Sequence, residues 1–131
     1  MKLICEIDEH GNEFWKLPSG DYHRENDLPA IERVNGTKEW WLNGKLHRDN
    51  DLPAYEHVGG DKAWYVNGEC HRTNGPAVEY ADGDKYWWLE GIRYTEEKYN
   101  EKVKKYKTED KENINSYSQE YLNGTSKQKW L

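Results

Sequence analysis

The chain has 131 residues, with seven Trp, ten Tyr, a hydrophobic share of 34% and a net charge of −6, and its mean hydropathy is −1.27. That composition is too poor in aliphatic residues for a thick core and too rich in rings for disorder, which leaves a thin sheet stapled by aromatics. Residues 1–94 carry 18 acidic against 11 basic side chains, net −7, so phosphate backbones and anionic lipid surfaces are disfavoured as partners. No apolar run approaches the roughly 18 residues that span a membrane. The segment Met1 to Asp8 acquires charge too early for a signal peptide. Cys5 and Cys70 show neither disulfide-framework nor zinc spacing, so the expectation is a cytoplasmic protein with free thiols, no metal and no cofactor.

In chain order, residues 1–22 read as a degenerate first copy of a repeat, with Trp15-Lys-Leu-Pro-Ser-Gly20 echoing Trp40-Trp-Leu-Asn-Gly44 with one residue inserted. The segment His23-Arg-Glu-Asn-Asp-Leu-Pro-Ala30 returns as His47-Arg-Asp-Asn-Asp-Leu-Pro-Ala54 and, shortened, as His71-Arg-Thr-Asn-Gly-Pro-Ala77. Between these lie Lys38-Glu-Trp-Trp-Leu-Asn-Gly44, Lys62-Ala-Trp-Tyr-Val-Asn-Gly68 and Lys85-Tyr-Trp-Trp-Leu-Glu-Gly91. A fixed period of about two dozen residues marks a stacked-repeat architecture. Each copy predicts a β-hairpin: an alternating run from Pro29, Pro53 or Pro76, a turn at Asn35-Gly36, Gly59-Gly60 or Asp82-Gly83, and a returning Trp-rich strand. The prolines are expected at the first residue of their strands, where a missing donor is tolerated. Whether the first turn has two or three residues sets the facial parity of the outgoing strand, and both readings stay open.

Stacking places Trp15, Trp40, Trp64 and Trp87 in one column expected to be core, and Trp41, Tyr65 and Trp88 in a second, on the alternate face of the returning strand. Ala30, Ala54 and Ala77 form a small-residue column with room for a neighbouring ring. Thr95 is a candidate N-cap for an amphipathic helix over 96–106, with Tyr99, Val103 and Tyr106 on one stripe, capping the open end of the array. The predicted organisation is all-β: a repeat array over 1–94, a capping helix over 95–106 and a polar tail over 107–131. Within the tail, Gln119-Glu-Tyr-Leu-Asn-Gly124 resembles the repeat's turn phrase and leaves an extra hairpin open beside disorder.

These residues resemble a variant of the membrane occupation and recognition nexus (MORN) repeat, in the Trp-Tyr-x-Asn-Gly…His-Arg-x-x-Gly-Pro-Ala form found in phage and giant-virus proteins. The match covers residues 14–94, with Asn-Asp-Leu-Pro replacing the shorter Gly-Pro form in two copies. The resemblance implies a meander of stacked hairpins, an interaction or scaffold role and a viral or phage accessory setting; it implies no catalytic residues.

The pairs His23–Arg24, His47–Arg48 and His71–Arg72 are the most reactive-looking feature. Equivalent residues two strands apart are separated by about 10 Å, too far to share a metal whose ligands lie at about 2.0–2.3 Å. They are therefore expected to satisfy turn carbonyls and to pair with acids of a neighbouring copy. Glu32, Glu56 and Glu79 are expected to pair across strands with Lys38, Lys62 and Lys85. No nucleophile elbow, phosphate loop or isolated carboxylate pair stands out, so a non-enzymatic role is expected. The row Trp41, Tyr65 and Trp88 is the candidate binding surface, for a protein partner or self-association. Two alternatives stand beside it: an acidic nucleic-acid mimic that inhibits a nucleic-acid-targeting host defence, and an aromatic carbohydrate platform.

Overall fold

The computed structural model describes residues 2–107. Among them, nine strands form one antiparallel sheet in the order β1-β2-β3-β4-β7-β8-β11-β12-β13, every neighbour being the next strand of the main meander. The strands are β1 (Ile4–Ile7), β2 (Glu13–Lys16), β3 (Ile31–Glu32), β4 (Lys38–Glu39), β7 (Tyr55–Glu56), β8 (Lys62–Ala63), β11 (Val78–Glu79), β12 (Lys85–Leu89) and β13 (Ile92–Tyr94). Two satellite hairpins, β5 (Trp41–Leu42) with β6 (Lys45–Leu46) and β9 (Tyr65–Val66) with β10 (Glu69–Cys70), continue β4 and β8 beyond Trp40 and Trp64. The chain is an all-β meander of hairpins closed by one C-terminal helix, α1, over 96–107.

Two turn types alternate. The outer turn closes with Arg33 N donating to the Thr37 carbonyl at 2.9 Å while Gly36 takes φ 100°. It is thus a three-residue loop with a left-handed glycine, repeated at 8–12, 57–61 and 80–84. The inner turn is a two-residue type I′ loop, with φ 51° and 79° at Asn43 and Gly44 and 50° and 85° at Asn67 and Gly68. In the first copy this turn is one residue longer, closed by Leu17 N on the Asp21 carbonyl at 2.8 Å, as the inserted residue there requires.

The joint between copies follows one plan. Trp15, Trp40 and Trp64 each give their backbone N–H at 2.7 Å to Ala30, Ala54 or Ala77 of the next copy, and all three alanines are 0% exposed. Ala77 packs directly with Trp64. The prolines sit just ahead of the strands rather than at their first residue, because their carbonyls are taken by Arg24, Arg48 and Arg72 at 3.2, 3.1 and 3.1 Å.

The fourth tryptophan has no following copy to cover it, and α1 takes that place. Tyr99 and Val103 bury against Leu89, with Trp87, Tyr94 and Tyr106 around them. The Tyr99 hydroxyl donates to the Arg72 carbonyl at 2.6 Å and accepts from Gly75 N at 3.2 Å, in the one linker that is shorter than its counterparts. Thr95 Oγ1 accepts from Lys98 N at 3.2 Å, the expected N-cap. The helix runs to residue 107, one beyond the expected end, and the tail reading over 108–131 lies outside the described residues.

Candidate functional site

The His-Arg segments are joints. Each arginine lies over the tryptophan of the copy before it: Arg24 over Trp15 at 4.1 Å, Arg48 over Trp40 at 3.7 Å and Arg72 over Trp64 at 3.8 Å to the ring centroid. The guanidiniums of Arg48 and Arg72 also reach acids on both sides. Arg48 Nε bonds Asp27 at 2.8 Å and its Nη1 bonds Glu56 at 3.2 Å, while Arg72 holds Asp51 at 2.9 Å and Glu79 at 3.0 Å. Planar, fork-shaped arginine suits this combined stacking and bidentate pairing, which lysine could not supply. The carboxylates of Glu56 and Glu79 are therefore turned to arginine and not, as their column suggested, to Lys62 and Lys85 across the ladder.

The histidines also differ from expectation in one respect. They receive a hydrogen bond from a turn amide instead of giving one to a carbonyl: Asn43 N donates to His23 Nδ1 at 2.9 Å, Asn67 N to His47 Nδ1 at 3.0 Å and Glu90 N to His71 Nδ1 at 2.8 Å. With Nδ1 accepting, the proton sits on Nε2, which in His47 faces Asp49 Oδ1 at 2.8 Å. The His Nδ1 bonds and the Arg48 and Arg72 carboxylate bonds thus hold one copy on the next, while the Arg bonds to the proline carbonyls brace each linker internally. Among the described residues no group of three or more His, Cys, Asp or Glu side chains is arranged to hold a metal.

The row Trp41, Tyr65 and Trp88 gives its backbone carbonyls to these joints, accepting from the amides of Arg24, Arg48 and Arg72 at 3.1, 3.3 and 3.3 Å. All three rings are half-buried, in contrast to Trp40 and Trp64 at 6% exposure. Tyr65 and Trp88 lean on the cluster of Trp64, Cys70 and Ala77. Trp41 Nε1 donates to Glu39 at 3.1 Å; at the equivalent of Glu39 the last copy has Tyr86, and the Trp88 indole N–H has no partner among the described residues. Helix α1 packs on Trp87 and Leu89, not on Trp88.

Two further rings extend the row, unrecognised in the sequence. Tyr22 meets Trp41 edge-on at 5.4 Å and Phe14 at 6.1 Å. The available signal was position: Tyr22 directly precedes His23 as Leu46 precedes His47 and Cys70 precedes His71, and Leu46 and Cys70 pair with Trp41 and Tyr65. Successive linkers also wall off two equivalent clefts. One of about 430 Å³ includes Trp41, Arg24 and Asp49; the next, about 260 Å³, includes Tyr65, Asp51 and Thr73.

Buried groups on this side hold their protons. Burial pushes the Cys70 thiol up to about 12 and raises the Tyr65 phenol. Cys70 is accordingly a packing residue, while Cys5 stands exposed on β1.

No family model, curated protein or solved structure matches this chain.

Proposed function

We propose that the chain is a non-enzymatic, MORN-like repeat scaffold that binds a protein partner along the row Trp41, Tyr65 and Trp88, extended by Tyr22 and Phe14. The observation that carries this reading is the division of labour between the two aromatic columns. Trp15, Trp40 and Trp64 are stacked under arginines and Trp87 lies under α1. The second column stays partly exposed on a stiff sheet, whereas Trp40 and Trp64 of the first are buried. Rings held in place lose little entropy on contact and make strong anchors. A viral or phage accessory setting belongs to this proposal through the resemblance alone, and a cytoplasmic location through the two free cysteines.

Two other readings rank below it. Mimicry of nucleic acid needs free carboxylates at regular spacing, and Glu56 and Glu79 are engaged by arginine. Carbohydrate binding gains support from the paired clefts, where a ring is flanked by polar side chains. The test is a comparison of the native chain with Tyr65→Ala and Trp41→Ala, by circular dichroism, melting, host-protein capture and a glycan array. The proposal expects both variants to fold and each to weaken protein capture by at least about 1 kcal/mol. Capture that survives both substitutions would move the interface elsewhere, and binding to glycans alone would favour the second reading.

A further inference from the structure

The N-terminal rim of the array differs from every internal strand. All four residues of β1 are exposed, with Ile4 at 43% and Ile7 at 65%. The turn closes by Asp8 N on the Asn12 carbonyl at 3.0 Å, and alternation from that pair turns Glu6 and Ile4 toward β2. Cys5 and Ile7 therefore direct their N–H and C=O groups outward, where no described residue pairs with them. Natural edges are usually blunted by proline, inward charge or a bulge, and Ile-Cys-Glu-Ile has none of these outside Glu6.

We propose that a second copy of this chain occupies this edge, its β1 running antiparallel with Cys5 opposite Cys5. Symmetry narrows the choice. A two-fold axis between antiparallel strands stands perpendicular to the sheet, and directly opposed residues share a face, so the axis passes through a residue position and not between two. Centring on Glu6 sets Glu6 against Glu6 and Ile4 against Asp8. Centring on Cys5 sets Ile4 against Glu6, whose carboxylate is held by Lys16, but also Leu3 against Ile7 and Lys2 against Asp8, apolar on apolar and plus on minus. The outward-facing groups of Cys5 and Ile7 then meet those of Cys5 and Leu3 in the second copy.

The opposite end of the array argues for closure at two copies. Tyr99 and Val103 of α1 occupy the side of Trp87 and Leu89 on which a following copy would stack. Stacking of a following copy is hindered there, and the shorter edge β13, of three residues against four in β1, is the poorer template, which favours the isologous contact of β1 with itself. Because the axis is perpendicular to the sheet, the aromatic rows of both copies face the same way, so the pair presents two rows to one partner or to two.

The test is sedimentation velocity from about 10 μM to about 1 mM chain, the weak end of the range for a specific contact, together with cross-linking by a short bis-maleimide. Cys70 is buried, so Cys5 is the thiol that reports. The expected result is a dimer and no larger species, cross-linked in the native chain and not in Cys5→Ser. Lys2→Glu, an exposed position outside every strand, should weaken the dimer at least about threefold. Cys5→Pro, which deletes an outward amide, should abolish it; if circular dichroism shows that variant unfolded, Lys2→Glu decides. A monomer throughout, an open-ended oligomer series, or a dimer indifferent to Lys2→Glu overturns the proposal. None of these outcomes depends on Tyr65 or Trp41, so the partner-binding surface is judged separately.

Discussion

Glu90 occupies the first position of its inner turn at φ 49°, where the two earlier copies have Asn43 at 51° and Asn67 at 50°. The left-handed region crowds the Cβ of a glutamate, whereas asparagine visits it routinely. The backbone N–H of Glu90 still serves His71 Nδ1, so the bond survives a change of side chain. Glu90→Asn is expected to raise stability by about 1 kcal/mol, read as a higher urea midpoint with an unchanged slope. A second prediction concerns alkali. Cys70, Tyr65 and Tyr99 all have pKa values raised chiefly by burial. A group raised in the folded state contributes stability that is complete below its unfolded pKa and is lost as pH rises toward the folded value. For Cys70 the window opens near its ordinary 9.0 and extends to about 12, and the two phenols act in the same direction from 10.0 upward. The melting temperature should therefore fall progressively above about pH 9. A melting temperature that is flat or rising between pH 9 and pH 11 would contradict it.

At the scale of the element, a copy is a hairpin that cannot bury its own tryptophan. Trp64 gives its amide to Ala77, its indole N–H to the Asp51 carbonyl at 3.0 Å and its face to Arg72, so two successive linkers meet on one residue. Trp64→Ala is expected to cost about 3–5 kcal/mol, measured by denaturant unfolding; a change below about 1 kcal/mol would show the joint to be dispensable. Much of this unit was legible in the sequence because it is written repeatedly. Recurrent Asn-Gly located the turns, and the Trp column located the core face. The facial parity was not legible, because a glycine-containing turn closes with either two or three residues and only the Arg33–Thr37 pairing decides it. Nor was the partner of each histidine, since Nδ1 meets an amide some twenty positions on, through folding of the linker. Tyr22 and Phe14 escaped notice because the first copy departs from the shared wording exactly where they lie on the aromatic row.

At the largest scale, the described residues are held by joints between neighbouring copies, with small separate clusters around Trp64 and Leu89. In such a system stability is close to a sum of copies and interfaces, and each end must be finished. The N-terminal end presents β1 and the C-terminal end is covered by α1, which puts Tyr99 and Val103 where the next linker would lie. The aromatic row runs along the array between these two ends, free of both devices, and so inherits its rigidity from every joint beneath it. The measurement that bears most directly on this account compares chains ending at residue 107 and at residue 94 by denaturant unfolding and native-state hydrogen exchange, with the tail absent from both. The account predicts that loss of α1 lowers the midpoint and speeds exchange first at the amides of Leu89 and Gly91, with Trp40 remaining protected. Equal midpoints and an unchanged exchange pattern in the last copy would contradict it.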